Sequence, residues 1–186
     1  MAFSEQQVIS QCQQGQLDGF GQLYDLYIKK IYNFIYYKTH HQQTAEDLTS
    51  QTFLKALSKI NQFDINKGYF STWLYQIARN TVIDHYRTSH PEIDIQDVWD
   101  LASDSDIAKD TEIKTQLKEV EKYLNQLDSA QREIIILRVW EQMSYKEIAE
   151  IVGKSEASCK MMFLRSLEKL RNHLPLAIYL LLISRF

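Results

Sequence analysis

Four side chains within YFSTWLYQIARNTVIDHYR, residues 69–87, have the types and spacing to act on an unpaired nucleobase. Trp73, Asn80 and Arg87 recur at seven-residue intervals with Asp84 between them, so a helix puts all four on roughly one face. An indole and a guanidinium plane both stack on exposed bases, and a carboxamide pairs with a base edge. The same residues admit a plainer reading. A Trp near a helix start commonly belongs to the core, and Asp84 with Arg87 fits a surface ion pair.

The element holding them is one helix entered through an aromatic-rich turn. Ser71 or Thr72 is expected to cap its start, and Leu74, Ile77, Ala78 and Thr81 form its buried stripe. The aromatic-small-small-Trp-Leu run, the Ile-Ala-Arg-Asn of residues 77–80 and the Ile-Asp-x-Tyr-Arg of residues 83–87 resemble the segment of bacterial sigma factors that recognises and melts the promoter minus-ten element. The likeness is strongest to the extracytoplasmic-function (ECF) group. It implies minus-ten contacts for Trp73, Arg79, Asn80 and Arg87.

Composition sets the frame for the other elements. Among 186 residues, 45% hydrophobic and 24% charged, there are only five Gly and two Pro, which with long periodic segments predicts an all-α chain. A net charge of −3 does not announce a nucleic-acid binder, so any basic surface must be local. Cys12 and Cys159 belong to no CxxC pair and fit small core hydrophobes in a reducing, cytoplasmic setting. MAFSEQQ lacks the basic and apolar regions of a signal peptide.

Along the chain, Ser4 and Gln7 suggest a capping box for a short helix that Gly15 ends. A second helix spans about Leu17 to Lys38, with Phe20, Leu23, Tyr24, Tyr27, Ile31, Phe34 and Ile35 as its apolar stripe. Tyr32, Tyr36 and Tyr37 raise the aromatic density, which fits core packing or stacking on nucleic acid. A third helix is expected to start near Thr44, capped by its hydroxyl with Asp47 reciprocating. Leu48, Phe53, Ala56, Leu57 and Ile60 face in; Glu46, Asp47, Gln51 and Lys55 face out. AEDLTSQTFLKAL resembles the sigma-factor segment that binds the clamp of core RNA polymerase. By that likeness Asp47 and Gln51 are contact candidates, a carboxylate being suited to a partner's Arg. A solvated helix face is the alternative. Asn61 to Tyr69 reads as a loop containing Phe63 and Lys67, and in the family the corresponding loop walls a pocket for a flipped base.

From His90 to about Glu112 periodicity fades, and seven acidic residues from Glu92 to Asp110 stand against Lys109 alone. This reads as an acidic linker, either a solvated tether or a segment threading a basic polymerase channel. The expected domains are therefore 1–89, the linker 90–112, a C-terminal domain 113–174 and an apolar tail 175–186. Beyond the linker, Thr115 to Leu127 is expected to be helical, and Asp128 with Gln131 to cap the next helix. In MSYKEIAEIVGKSEASCKMMFLRSLEKLR, Ser144 and Glu147 form a capping box, Gly153 permits a tight turn and Ser155 caps a second helix. That is a helix-turn-helix pattern. Its second helix offers Glu156, Ser158 and Lys160 to bases or phosphates, with Arg165, Lys169 and Arg171 placed to neutralise backbone charge. The block resembles the sigma-factor domain that reads the minus-thirty-five element. It departs from the pattern at Met161, Met162 and Leu164, where relatives carry more polar residues, and at Glu141, in a run where Gly is frequent.

The tail, residues 174–183 (LPLAIYLLLI), is too short for a bilayer, which needs about 20 apolar residues. It is expected to complete the C-terminal core; covering the apolar surplus of the recognition helix, or resting on a membrane surface, are the alternatives. The five His make no HExxH spacing, no Cys joins them at zinc-site spacing, and no Gly-rich phosphate loop is present, so no catalytic, metal or cofactor site is expected.

The resemblance implies a two-domain, all-α sigma factor that binds core RNA polymerase and promoter DNA, with an anti-sigma factor as regulator, no cofactor and no covalent chemistry of its own. A stand-alone helix-turn-helix regulator, and a helical interaction protein without promoter recognition, are the other classes open at this point.

Overall fold

The computed structural model describes residues 4–89, 124 and 127–171, and they are helical, with no strand among the described residues. The chain divides into two compact units, Met1–Glu92 and Ile93–Phe186. The acidic linker and the apolar tail expected from the sequence lie outside the described residues, as does most of the helix expected over residues 115–127.

The first unit is a bundle of α1 (Glu5–Gln13), α2 (Phe20–Thr39), α3 (Gln42–Ser58) and α4 (Phe70–Ser89), with α2, α3 and α4 packed on one another. The apolar stripes explain the packing: Leu23, Ile31, Phe34 and Ile35 of α2, Leu48 and Ala56 of α3, and Leu74, Ala78 and Val82 of α4 are essentially solvent-free. Each of the Leu, Ile, Val and Phe side chains contributes about 1.5–3 kcal/mol by leaving water, the two alanines less.

The helix ends differ in detail from expectation. Ser4 precedes α1 without a side-chain cap bond, and Leu17–Gly19 forms a short 3-10 turn before α2 begins. The α3 cap is His41, whose Nδ1 accepts from the Thr44 amide at 3.2 Å; Thr44 lies inside the first turn. The reason lies one residue earlier. His40 closes α2 in the left-handed conformation, φ 48°, which leaves His41 extended and aimed at the new helix. Likewise α4 opens at Phe70, so Ser71 and Thr72 fall within its first turn rather than at its cap; the buried Phe70 ring anchors the start. Lys55, expected outside, is half-buried and bonds Thr81 Oγ1 at 3.2 Å.

In the second unit, α5 (Ser129–Ile135), a π turn (Ile136–Trp140), α6 (Tyr145–Val152) and α7 (Glu156–Arg171) surround Ile134, Leu137, Ile148, Cys159 and Phe163. Both expected capping boxes form, at Asp128/Gln131 and Ser144/Glu147, each cap contributing about 1 kcal/mol. Gly153 turns the chain at φ 70°, a left-handed conformation that suits a residue without a Cβ.

A second left-handed position lies ahead of α6, and it is Gln142 (φ 55°), not Glu141. The π turn ending at Trp140 leaves Glu141 in helical conformation, so the reversal falls one residue later. Left-handed backbone costs a residue with a Cβ about 1–2 kcal/mol. Gln142→Gly is therefore expected to stabilise the second unit by about 0.5–1 kcal/mol after the entropy of the unfolded glycine is counted. Thermal unfolding of the variant checks this; a lowered midpoint would mean that the exposed Gln142 side chain contributes more than its strain costs.

Candidate nucleic-acid interface

The site on the first unit starts from an aromatic joint. Phe70, 1% exposed, has ring centroids of Tyr27, Phe63 and Trp73 at 5.7, 5.6 and 5.5 Å, and Phe63 approaches Trp73 at 5.3 Å. Edge-on and tilted aromatic pairs each add about 0.5–1.5 kcal/mol beyond burial. The Tyr27 hydroxyl donates to Glu5 Oε2 at 2.7 Å, which ties α1 to the same joint. Burial, first, and the Glu5 carboxylate, second, push the Tyr27 hydroxyl well above the ordinary phenol range.

Above this joint the residues singled out by spacing separate into two groups. Trp73 is half-buried, with Asn80, Asp84 and Arg87 exposed along α4, as one helical face requires. Arg79 is half-buried on the same helix. Phe63, expected in the pocket wall, is 6% exposed and braces Trp73 and Phe70 instead of offering a free face. Asp84 pairs with Lys55 of α3 at 3.5 Å rather than with Arg87, a surface contact of small energetic weight.

Lys67 projects from the loop between α3 and α4, its side chain 82% exposed. The loop is a defined turn. The Asn66 amide donates to Asp64 Oδ1 at 3.0 Å, the Lys67 amide to the Asp64 carbonyl at 3.0 Å, and Lys67 Nζ lies 3.0 Å from Asp64 Oδ2. The Asn66 amide, foremost, and Lys67 hold the Asp64 carboxyl below the usual carboxylate range. Tyr69, 69% exposed, follows the turn and sits one helical turn before Trp73, whose amide bonds its carbonyl. Its place in the aromatic run was the signal for a further exposed stacking surface, and its exposure distinguishes it from buried Phe70. On α3, Asp47 and Gln51 are exposed one turn apart and Leu54, 66% exposed, extends their face.

The second unit presents α7. Ser155 Oγ accepts the Ser158 amide at 3.2 Å, so the helix starts where the sequence places it. Glu156, Lys160 and Arg165 are exposed and Ser158 is half-buried. Lys169 is exposed, yet its Nζ bonds Gln131 Oε1 at 3.0 Å, which couples it to the α5 cap. Met161 and Leu164 are 49% and 48% exposed, so the surface of α7 mixes cations with thioether and aliphatic groups. Arg138 supports the turn into α6: its Nη1 donates to the Met143 carbonyl at 2.6 Å and its guanidinium lies 4.8 Å from the Tyr145 ring. Among the described residues no cluster of metal-ligating side chains occurs, and no helix is long and apolar enough to cross a membrane.

These two helical units match known proteins along most of the chain. Residues 23–91 match the family model Sigma-70 region 2, and residues 117–170 match Sigma-70, region 4. The ECF RNA polymerase sigma factor BldN of Streptomyces coelicolor is 33% identical over 91% of this chain and 65% of its own length. The ECF sigma factor SigW of Bacillus subtilis is 30% identical over 89% of this chain and 94% of its own. Among solved structures, the sigma factor RpoE of Bartonella quintana in complex with the anti-sigma factor NepR has a TM-score of 0.69, with 26% identity over 82% of this chain and 94% of that one. With both helical units matched in order, and SigW matched nearly end to end, the chain belongs to the ECF RNA polymerase sigma factors.

Proposed function

We propose that this chain directs promoter-specific initiation by core RNA polymerase, reading the minus-ten element with α4 and its preceding loop and the minus-thirty-five element with α7. The observation that carries the reading is the α4 face of half-buried Trp73 and exposed Asn80 and Arg87, preceded by a loop that projects Lys67 and standing on a buried aromatic joint in a chain of this family. Lys67 and Arg87 meet backbone phosphate, Trp73 stacks, and the Asn80 amide reads an unpaired base edge. Arg79 supports the same face, and Phe63 acts through Trp73. Stacking of about 1–3 kcal/mol per base offsets much of the cost of extruding a base, so melting needs no covalent step by this subunit. The polymerase supplies the catalysis, in the cytoplasm.

Asp47 and Gln51 form the polymerase-facing surface of α3, and Glu156, Ser158, Lys160, Arg165 and Lys169 the duplex-facing surface of α7. An anti-sigma partner is supported by the RpoE–NepR complex, in which a structural relative is held by one.

Three substitutions test the assignment. Asn80→Ala is expected to lower discrimination at one minus-ten position by about 1–3 kcal/mol while leaving core binding intact, measured as open-complex formation across promoter variants. Equal loss on all variants would make Asn80 structural. Asp47→Arg is expected to weaken core binding about ten- to a hundredfold, the worth of one charge-assisted contact of about 1.5–3 kcal/mol, without unfolding the domain. Competition against a second sigma factor reads this, and unchanged affinity moves the interface elsewhere. Lys160→Ala and Arg165→Ala are each expected to reduce the salt slope of minus-thirty-five binding by about one unit. A wild-type slope in the double variant would favour the alternative that the Met161 and Leu164 surface leaves: a helix docking protein rather than duplex.

A further inference from the structure

We propose that Gln13 is a positioning residue for the minus-ten loop, and that α1 serves as that loop's anchor. Gln13 is the last residue of α1, and its half-buried carboxamide points across to the segment leaving α3. Nε2 donates to the Ile60 carbonyl at 3.0 Å and to the Phe63 carbonyl at 2.7 Å. One amide group thus uses both of its hydrogens on the two ends of a single short turn, Ile60–Phe63.

The consequence follows from what lies downstream. Phe63 is the residue at which the chain leaves the 3-10 turn Ile60–Gln62 for extended backbone, and its ring braces Phe70 and Trp73. Asp64, next in sequence, closes the turn that projects Lys67. The loop is therefore pinned on its far side by Asp64 and on its near side by Gln13. Asp64 acts within the loop and can move with it; Gln13 sits on a separate helix, held in turn to α2 by the Glu5–Tyr27 hydrogen bond. Gln13 therefore fixes the backbone at the loop's entry to the bundle, alongside the packing of the Phe63 ring on α4. α1 lies before the residues matched to Sigma-70 region 2, so the loop's position is set from outside the matched segment.

The role rests on the reading that α4 and its loop meet the minus-ten strand. The test uses the full-length protein with core polymerase. Gln13→Met keeps side-chain length and removes both donors, whereas Gln13→Lys restores donors at comparable reach. Glu5→Ala loosens the same helix while leaving both loop carbonyls bonded. Open-complex formation is measured across minus-ten variants, together with hydrogen exchange at the Lys67 amide. Gln13→Met is expected to cut discrimination between minus-ten sequences by about tenfold and to speed exchange at Lys67, with Gln13→Lys recovering most of both. Glu5→Ala, which loosens the anchor while leaving Gln13 in place, is expected to lower the melting temperature and to reproduce a smaller part of the Gln13→Met loss of discrimination. If Gln13→Met changes only the melting temperature while Asn80→Ala still shows a base-specific defect, the positioning role is overturned and the minus-ten reading stands. If exchange at Lys67 accelerates but neither variant alters base preference, the reading itself fails and the role in promoter recognition falls with it.

Discussion

The first unit depends on one constraint: the Phe70 ring must be buried for α4 to begin where it does. Tyr27 of α2, Phe63 of the loop and Trp73 of α4 itself converge on it. A helix start held by aromatic packing needs no side-chain cap, which explains why Ser71 and Thr72 lie inside the first turn. It also explains the cost accepted there, since Thr72 Oγ1 is buried with no hydrogen-bond partner. The same joint leaves one face of α4 to solvent and fixes the angle at which Trp73 emerges. Preorganisation of this kind would lower the ordering cost of the base contact proposed for Trp73.

Charge shapes the proposed DNA contacts differently from packing. With a formal charge of −3 the chain as a whole is not basic, and among the described residues Lys55 engages Asp84, Lys67 leans on Asp64, and Lys169 bonds Gln131. Such pairing holds side chains in place at small net energy. It also limits nonspecific phosphate binding. A chain of this composition suits the proposed role as one subunit of a larger assembly.

In the second unit, guanidinium groups satisfy backbone carbonyls beside an apolar core that includes Ile134, Leu137, Ile148 and Phe163. Buried Arg132 donates to the Leu124 and Leu127 carbonyls, at 3.1 and 3.2 Å, and Arg138 to that of Met143. Arg132 thus reaches back from α5 to carbonyls that precede it, and Arg138 reaches forward from the π turn to the carbonyl ahead of α6, which helps to set the entries to both helices. The helix-turn-helix adds the Ser144 capping box, one left-handed glycine and the Ser155 cap, all local devices.

Those local devices are what the sequence by itself determined. Helix periodicity, the Asp128 and Ser144 boxes, the turn at Gly153 and the Ser155 cap depend on neighbours within four residues, so they are legible from the chain alone. The shared face of Trp73, Asn80, Asp84 and Arg87 is legible for the same reason, since helical geometry dictates it. Tertiary structure decided whatever required a distant partner. Phe63 read as a loop aromatic and became a brace because Phe70 and Trp73 fold over it. Asp84 had Arg87 at a favourable helical spacing but pairs with Lys55, because α3 and α4 pack side by side. His41 displaced Thr44 as a cap because His40 ends α2 left-handed, and the left-handed residue before α6 is Gln142 because the π turn keeps Glu141 helical. Gln13 carried no signal in its own neighbourhood. Its two acceptors lie 47 and 50 residues away, and only the folded bundle brings them within reach of one amide.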